Sequence, residues 1–354
     1  MPITFAKLKQ VLDLNNERYS ELSLNDTYKL LVWEDRGRIF GPYSGDDSVG
    51  MAWVSEELSS PERYAGFKAK GGWNVGGDRL WVAPEFPFFT KQRSRFNESY
   101  TVQDSLDPGH YHFTEADDKQ LKMSAELEAE LYEHQHRRKT FSAGRTLSPC
   151  KNPLRDAMPE GVKYCGFTQS IELSDTSPLS PMELEIWNLF QVRAGGVFLI
   201  PYLGNDLDYV DYYAPSLGEV LNIHEHYASV KVESCAEHKV GFKAFQTFGR
   251  VGYLLQEGDG LWSLLIRSYY NNPSDTYIKE PSDRPGENGC SLFIYMNDTR
   301  SDGFAELETT GETFCASEKD RSALSLNYWF YRGELSDLKA VLSNLLGIGK
   351  SLEV

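Results

Sequence analysis

Two glutamates separated by one residue, Glu306 and Glu308 in Ala305-Glu306-Leu307-Glu308, are well suited by type and spacing to move protons. On a strand, residues i and i+2 leave the same face, so the two carboxyls would share one surface. Crowding raises the pKa of at least one of them and fits it for proton transfer. The alternative is a solvated strand face. A second concentration of constraint runs from Gly71 to Phe89, GGWNVGGDRLWVAPEFPFF, with four glycines, two tryptophans, two prolines, one arginine and two acids in nineteen residues. It reads either as one wall of a ligand site or as a tight turn followed by a buried aromatic strand. Arg79 beside Trp81 offers a donor fork next to an aromatic surface, or an ion pair with Asp78 or Glu85.

The seven histidines form three His-x-His groups, His110 with His112, His134 with His136 and His224 with His226, followed by His238. On a strand each pair would face one way, as metal-binding pairs do, but no third ligand stands at a telling spacing, so no metal site is expected. A P-loop, a GxGxxG motif opening a helix after a strand, a GxSxG elbow and HExxH are all absent, and no cofactor is expected. Gly71, Gly72, Gly76 and Gly77 have no helix predicted after them, which argues against a phosphate cradle.

The elements that must position these groups read as strands. The short apolar runs YKLLVWED, GRIFGPYS and VGMAWVSEEL are divided by Gly, Asp and Pro, so a β meander is expected from Thr27 to Leu58. Further strands are expected over 163–174, 182–202, 228–248, 250–256 and 261–269. Residues 119–131 have high helix propensity, yet Leu121, Met123, Ala125, Leu127, Ala129 and Leu131 alternate with polar residues, which favours a strand. Residues 93–112 read as an extended loop with a turn at Asp107-Pro108-Gly109. Helices are expected only near the ends, over 5–14 and 335–348.

With 354 residues, 40% hydrophobic and 13% aromatic, the chain can bury a large core, and no linker or repeat divides it. A single all-β domain over 1–354 is expected, with its core over roughly 27–333. The net charge of −16, spread along the chain, argues against nucleic-acid or anionic-membrane partners. Five widely spaced cysteines read as free thiols of a reducing compartment. With no apolar leader and no run of eighteen apolar residues, a cytoplasmic, soluble protein is expected.

The order of landmarks resembles the galactose mutarotase-like superfamily, the aldose 1-epimerases and their relatives. Asp35-Arg36-Gly37-Arg38-Ile39 leading to Met51-Ala52-Trp53 is similar to its opening strands. GGDRLWVAPE, from Gly76 to Glu85, is similar to a signature of one uncharacterised branch. MELEIWNLFQVRAGGVFLIP, HKVGFKAFQTFGRVGYLL and the Glu306-Leu307-Glu308 region resemble that branch's later strands. The resemblance implies a large twisted β-supersandwich, with short peripheral helices at the N and C termini, that binds a carbohydrate on a sheet face. It implies a glutamate base, here Glu308 with Glu306 beside it, acting on a free sugar or sugar derivative by acid–base interconversion of anomers. Asp78, Arg79, Trp81, Glu85, Gln191 and Lys239 are then the expected substrate contacts, with Trp81 as a stacking surface. The family's acid is a histidine. None of the pairs here matches its motif, and His110 and His112 stand as the substitutes. Carbohydrate binding without turnover, or a glycan lyase or hydrolase on the same fold, are the alternatives.

Overall fold

The computed structural model describes residues 2–132, 137–177, 182–213, 215–233, 236–298, 303–349 and 352. His134, His136 and Cys235 lie outside the described residues. Two antiparallel sheets, each with ten strands among the described residues, face one another. The first runs in the order Tyr19–Ser23, Lys29–Trp33, Arg38–Tyr43, Asp78–Ala83, Glu183–Arg193, Phe304–Thr310, Cys290–Met296, His238–Lys243 and Tyr209–Asp211, with Phe314–Cys315 paired to Glu183–Arg193. Strands distant in sequence are therefore neighbours. The second sheet is built around Trp262–Tyr269, Arg321–Gly333, Lys163–Asp175, Arg137–Pro149 and Leu121–Leu131. This is the large β sandwich expected from the sequence.

Alternation explains the strands. In Leu121–Leu131 all six apolar residues at odd positions are buried, and burying that set on one face outweighs the helix propensity of the segment's Ala, Glu and Leu residues. One buried cluster draws on both sheets, including Leu80, Ile186, Ile294 and Leu307 from the first and Leu127, Ile171, Leu265 and Leu326 from the second.

Two of the helices are where periodicity puts them. Phe5–Leu14 starts at Thr4, whose hydroxyl accepts from the Lys7 amide, and Leu335–Leu346 ends at Gly347 with φ of 77°. The second helix lays Leu338, Val341, Leu342 and Leu345 on the outer side of the second sheet, against Leu254, Leu264 and Ile266. The expectation of helices only at the ends needs correction. Pro61–Ala69 is helical because Ser60 caps it and proline opens it, and Glu85–Phe89 makes a short helix where prolines at 84 and 87 cannot extend a ladder. The segment after it is also less extended than expected, with helical turns at Arg93–Arg95 and Phe96–Ser99. No described helix is long and apolar enough to cross a membrane.

Candidate functional site

The site grows from the period-two alternation of five neighbouring strands. Along Asp78–Ala83, Arg79 and Trp81 leave one face while Asp78 and Leu80 leave the other. Register then carries the Arg79 face across the sheet: Arg79 pairs with Leu189, Leu189 with Glu308, and Glu308 with Phe293. The neighbouring row runs from Gln191 to Glu306, Tyr295 and Lys239. Glu306, Glu308, Gln191, Lys239 and Arg79 thus meet on the sheet face turned away from the second sheet. A pocket of about 280 Å3 opens over them, roofed in part by Phe96, Tyr100 and the Glu85 helix.

Glu306 is buried, and its Oε1 accepts from Arg79 Nη2 and Gln191 Nε2, both at 2.8 Å. Burial is the main influence and raises its pKa above the usual carboxyl range, against the pull of Arg79. Glu308 is fully buried but differently held. Its Oε2 accepts from Trp187 Nε1 at 2.8 Å and Lys279 Nζ at 3.2 Å, and Oε1 lies 3.3 Å from Lys239 Nζ. Burial pushes its pKa up, yet the two ammonium groups outweigh burial and leave it lowered.

The lysines themselves diverge. Burial depresses both, but around Lys239 the carboxylates of Glu308, Glu85 and Glu306 prevail and raise it. For Lys279 burial wins and brings it down to about 8, with Lys239 adding to the effect. Its ammonium sits 3.0 Å from the centroid of the Trp187 ring. Glu85 completes the cluster, with Oε2 at 3.6 Å from Lys239 and 3.8 Å from Lys279, and Oε1 accepting from the Tyr100 hydroxyl at 3.2 Å.

Trp81 is placed otherwise than a stacking platform requires. Its indole N–H donates to Asp107 at 3.0 Å, the Arg79 guanidinium lies 4.2 Å from its centroid, and Phe89 stacks on it at 4.5 Å. It is 3% exposed, so it holds Arg79 in position instead of offering a free ring face. Arg79 Nη1 has no hydrogen-bond partner among the described residues. The part-exposed aromatic surface comes from Trp73, Phe96, Tyr100, Tyr213 and Tyr295.

Asp78, expected beside Arg79, instead points between the sheets, because adjacent strand residues face opposite ways. There it accepts from Tyr328 Oη at 2.6 Å, Asn188 Nδ2 at 3.0 Å and Gln169 Nε2 at 3.3 Å, and pairs with Arg145 and Arg267. His110 and His112 lie outside the pocket. His110 is exposed and bonds Asp35 at 3.0 Å, a contact that raises its pKa, and His112 bonds Ser124 Oγ at 3.0 Å. Among the described residues no group of three or more His, Cys, Asp or Glu could hold a metal ion.

Lys279 was not legible in the sequence. It comes from a polar stretch without periodicity, and nothing local marks it. The Tyr212 hydroxyl donates to its carbonyl at 3.0 Å, and Arg93 holds the next residues, donating to the carbonyls of Pro281 and Ser282 at 2.8 and 2.9 Å. Trp187 could have been found, since it lies two and four residues before Leu189 and Gln191 on one strand face.

In structure the chain is similar to the galactose mutarotase related enzyme from Lactobacillus acidophilus, at 8% identity, with 88% of this chain and 97% of that chain covered and a TM-score of 0.46. It is also similar to an aldose epimerase homologue from C. elegans, at 8% identity over 89% of this chain and 98% of that chain, with a TM-score of 0.47. No curated protein matches the chain. The model of DUF6786, a family of unknown function, matches residues 4–351, and the chain belongs to that family.

Proposed function

We propose that the protein binds a carbohydrate over Glu306 and Glu308 and interconverts its anomers by acid–base catalysis, as an aldose 1-epimerase-like enzyme. The observation that carries this reading is the opposed tuning of two carboxyls on one strand face, Glu306 raised and Glu308 lowered. Opening a cyclic hemiacetal needs a proton removed from the anomeric hydroxyl while another reaches the ring oxygen. Glu308, kept ionised by its lysines, takes the first proton. Glu306 supplies the second from Oε2, since the donors Arg79 and Gln191 both occupy Oε1. Rotation about the C1–C2 bond and reclosure with the roles reversed give the other anomer, with no net change in protons. Arg79 Nη1 is the donor left for a substrate oxygen, and Trp73 and Tyr295 supply ring surface.

A second reading, sugar binding without turnover, is favoured by the same two lysines, because they weaken Glu308 as a base. Exchange spectroscopy of α and β anomers over a panel of aldoses separates the two. We expect accelerated exchange that Glu308→Gln reduces by about 100-fold or more while sugar affinity changes little. Saturable binding by the unaltered protein without accelerated exchange would establish the second reading instead.

A further inference from the structure

A larger cavity, of about 470 Å3, opens at one end of the sandwich and shares no lining residue with the pocket over Glu306. The first sheet contributes the loop from Ser44 to Met51 and Tyr28, and the second contributes Lys163, Cys165, Phe330 and Arg332. Lys163 and Arg332 are direct partners on neighbouring strands, so both side chains leave one face, the face that two residues further in carries Cys165 and Phe330 into the core. Like charges opposite each other weaken a ladder, and this pair persists in a chain whose net charge is −16.

The acids of the cavity do not account for both cations. Glu257 is held by Arg193 at 2.7 and 2.9 Å and by the Ser263 hydroxyl at 2.7 Å. Asp259 pairs with Arg332 through Nη2, and Asp47 is exposed. Left over are the Lys163 ammonium, which has no side-chain partner among the described residues, and Arg332 Nη1, which is buried without a hydrogen-bond acceptor. Behind them lie Phe330 and Met51, buried to 6% and 5% exposure.

We propose that this cavity binds a compact organic anion, its carboxylate or phosphate between Lys163 and Arg332 and its apolar body against Phe330 and Met51. Charge-assisted hydrogen bonds from the two cations set the affinity and the apolar floor sets the selectivity. This site is independent of the one proposed for the sugar.

The test is calorimetric or NMR titration of the full chain with benzoate and with phenyl phosphate, against benzyl alcohol as the neutral analogue. We expect saturable binding of at least one anion, at least about tenfold tighter than the alcohol, weakened about tenfold by Lys163→Ala and restored by Lys163→Arg. Lys163 is exposed and unpaired, so its removal leaves the fold intact. The proposal is overturned if neither anion saturates, if the alcohol binds as tightly, or if Lys163→Ala binds as the unaltered protein does.

Discussion

Glu306 and Glu308 have the same side chain on the same strand, and burial acts on both; what separates them is the set of cations within reach. Glu306 is hydrogen-bonded by one guanidinium and the neutral amide of Gln191 and feels Lys239 only at longer range, whereas Glu308 is held directly by two ammonium groups. The clamp acts back on its own members. Lys279, pushed down to about 8 from an ordinary 10.5, binds fewer protons in the folded than in the unfolded chain between those values. Where the unfolded state holds more protons, stability rises with pH. The Lys279 contribution is therefore least favourable below about pH 8, improves as pH climbs from 8 toward 10.5, and is constant above that. Urea denaturation of the unaltered protein and of Lys279→Met across this range checks it: the stability difference between the two should shift in favour of the unaltered protein as pH rises. A pH-independent difference would contradict the titration assigned to Lys279.

At the scale of elements, the site depends on how strand Asp78–Ala83 enters the first sheet. Gly76 and Gly77 precede it with φ of 99° and 76°, and a Cβ on Gly76 would lie 2.2 Å from the Trp53 carbonyl oxygen. That oxygen accepts the Gly77 amide at 3.0 Å, so the close approach is part of the strand's anchorage. Gly76→Ala combines a left-handed backbone with a backbone clash and should cost about 2–4 kcal/mol, read as a lowered denaturation midpoint. Gly71, with φ of 74° but open space around its Cβ position, should cost only about 1 kcal/mol when changed to Ala. The second element that matters is the loop carrying Lys279. Glu185 ties it down, its Oε1 accepting from the Ile278 amide at 2.6 Å and the Thr313 hydroxyl at 2.7 Å. Burial raises the pKa of this carboxyl to about 8, against the pull of those donors.

For the molecule as a whole, Asp78 joins the two sheets at the back of the site. It belongs to the first sheet and meets Arg145, Gln169, Arg267 and Tyr328, all from the second. Removing the carboxylate leaves two buried guanidinium groups short of a partner, and Asp78→Ala should destabilise the fold by about 3–5 kcal/mol in chemical denaturation. Sandwich architecture, the strand over 121–131 and the end helices were all legible in the sequence, because periodicity and turn residues are local signals. So was the fact that Glu306 shares a face with Glu308, and Arg79 with Trp81, since alternation fixes parity within a strand. Alternation also puts Asp78 on the face opposite Arg79, but the sequence did not say that the strand begins as early as Asp78 or which parity faces the second sheet. Nor did it say that strands Asp78–Ala83 and Phe304–Thr310 both pair with Glu183–Arg193, in the register that sets Arg79 on Glu306. Register, strand order and the loop that delivers Lys279 are settled by the packing of distant segments, for which no short window of sequence carries a signal.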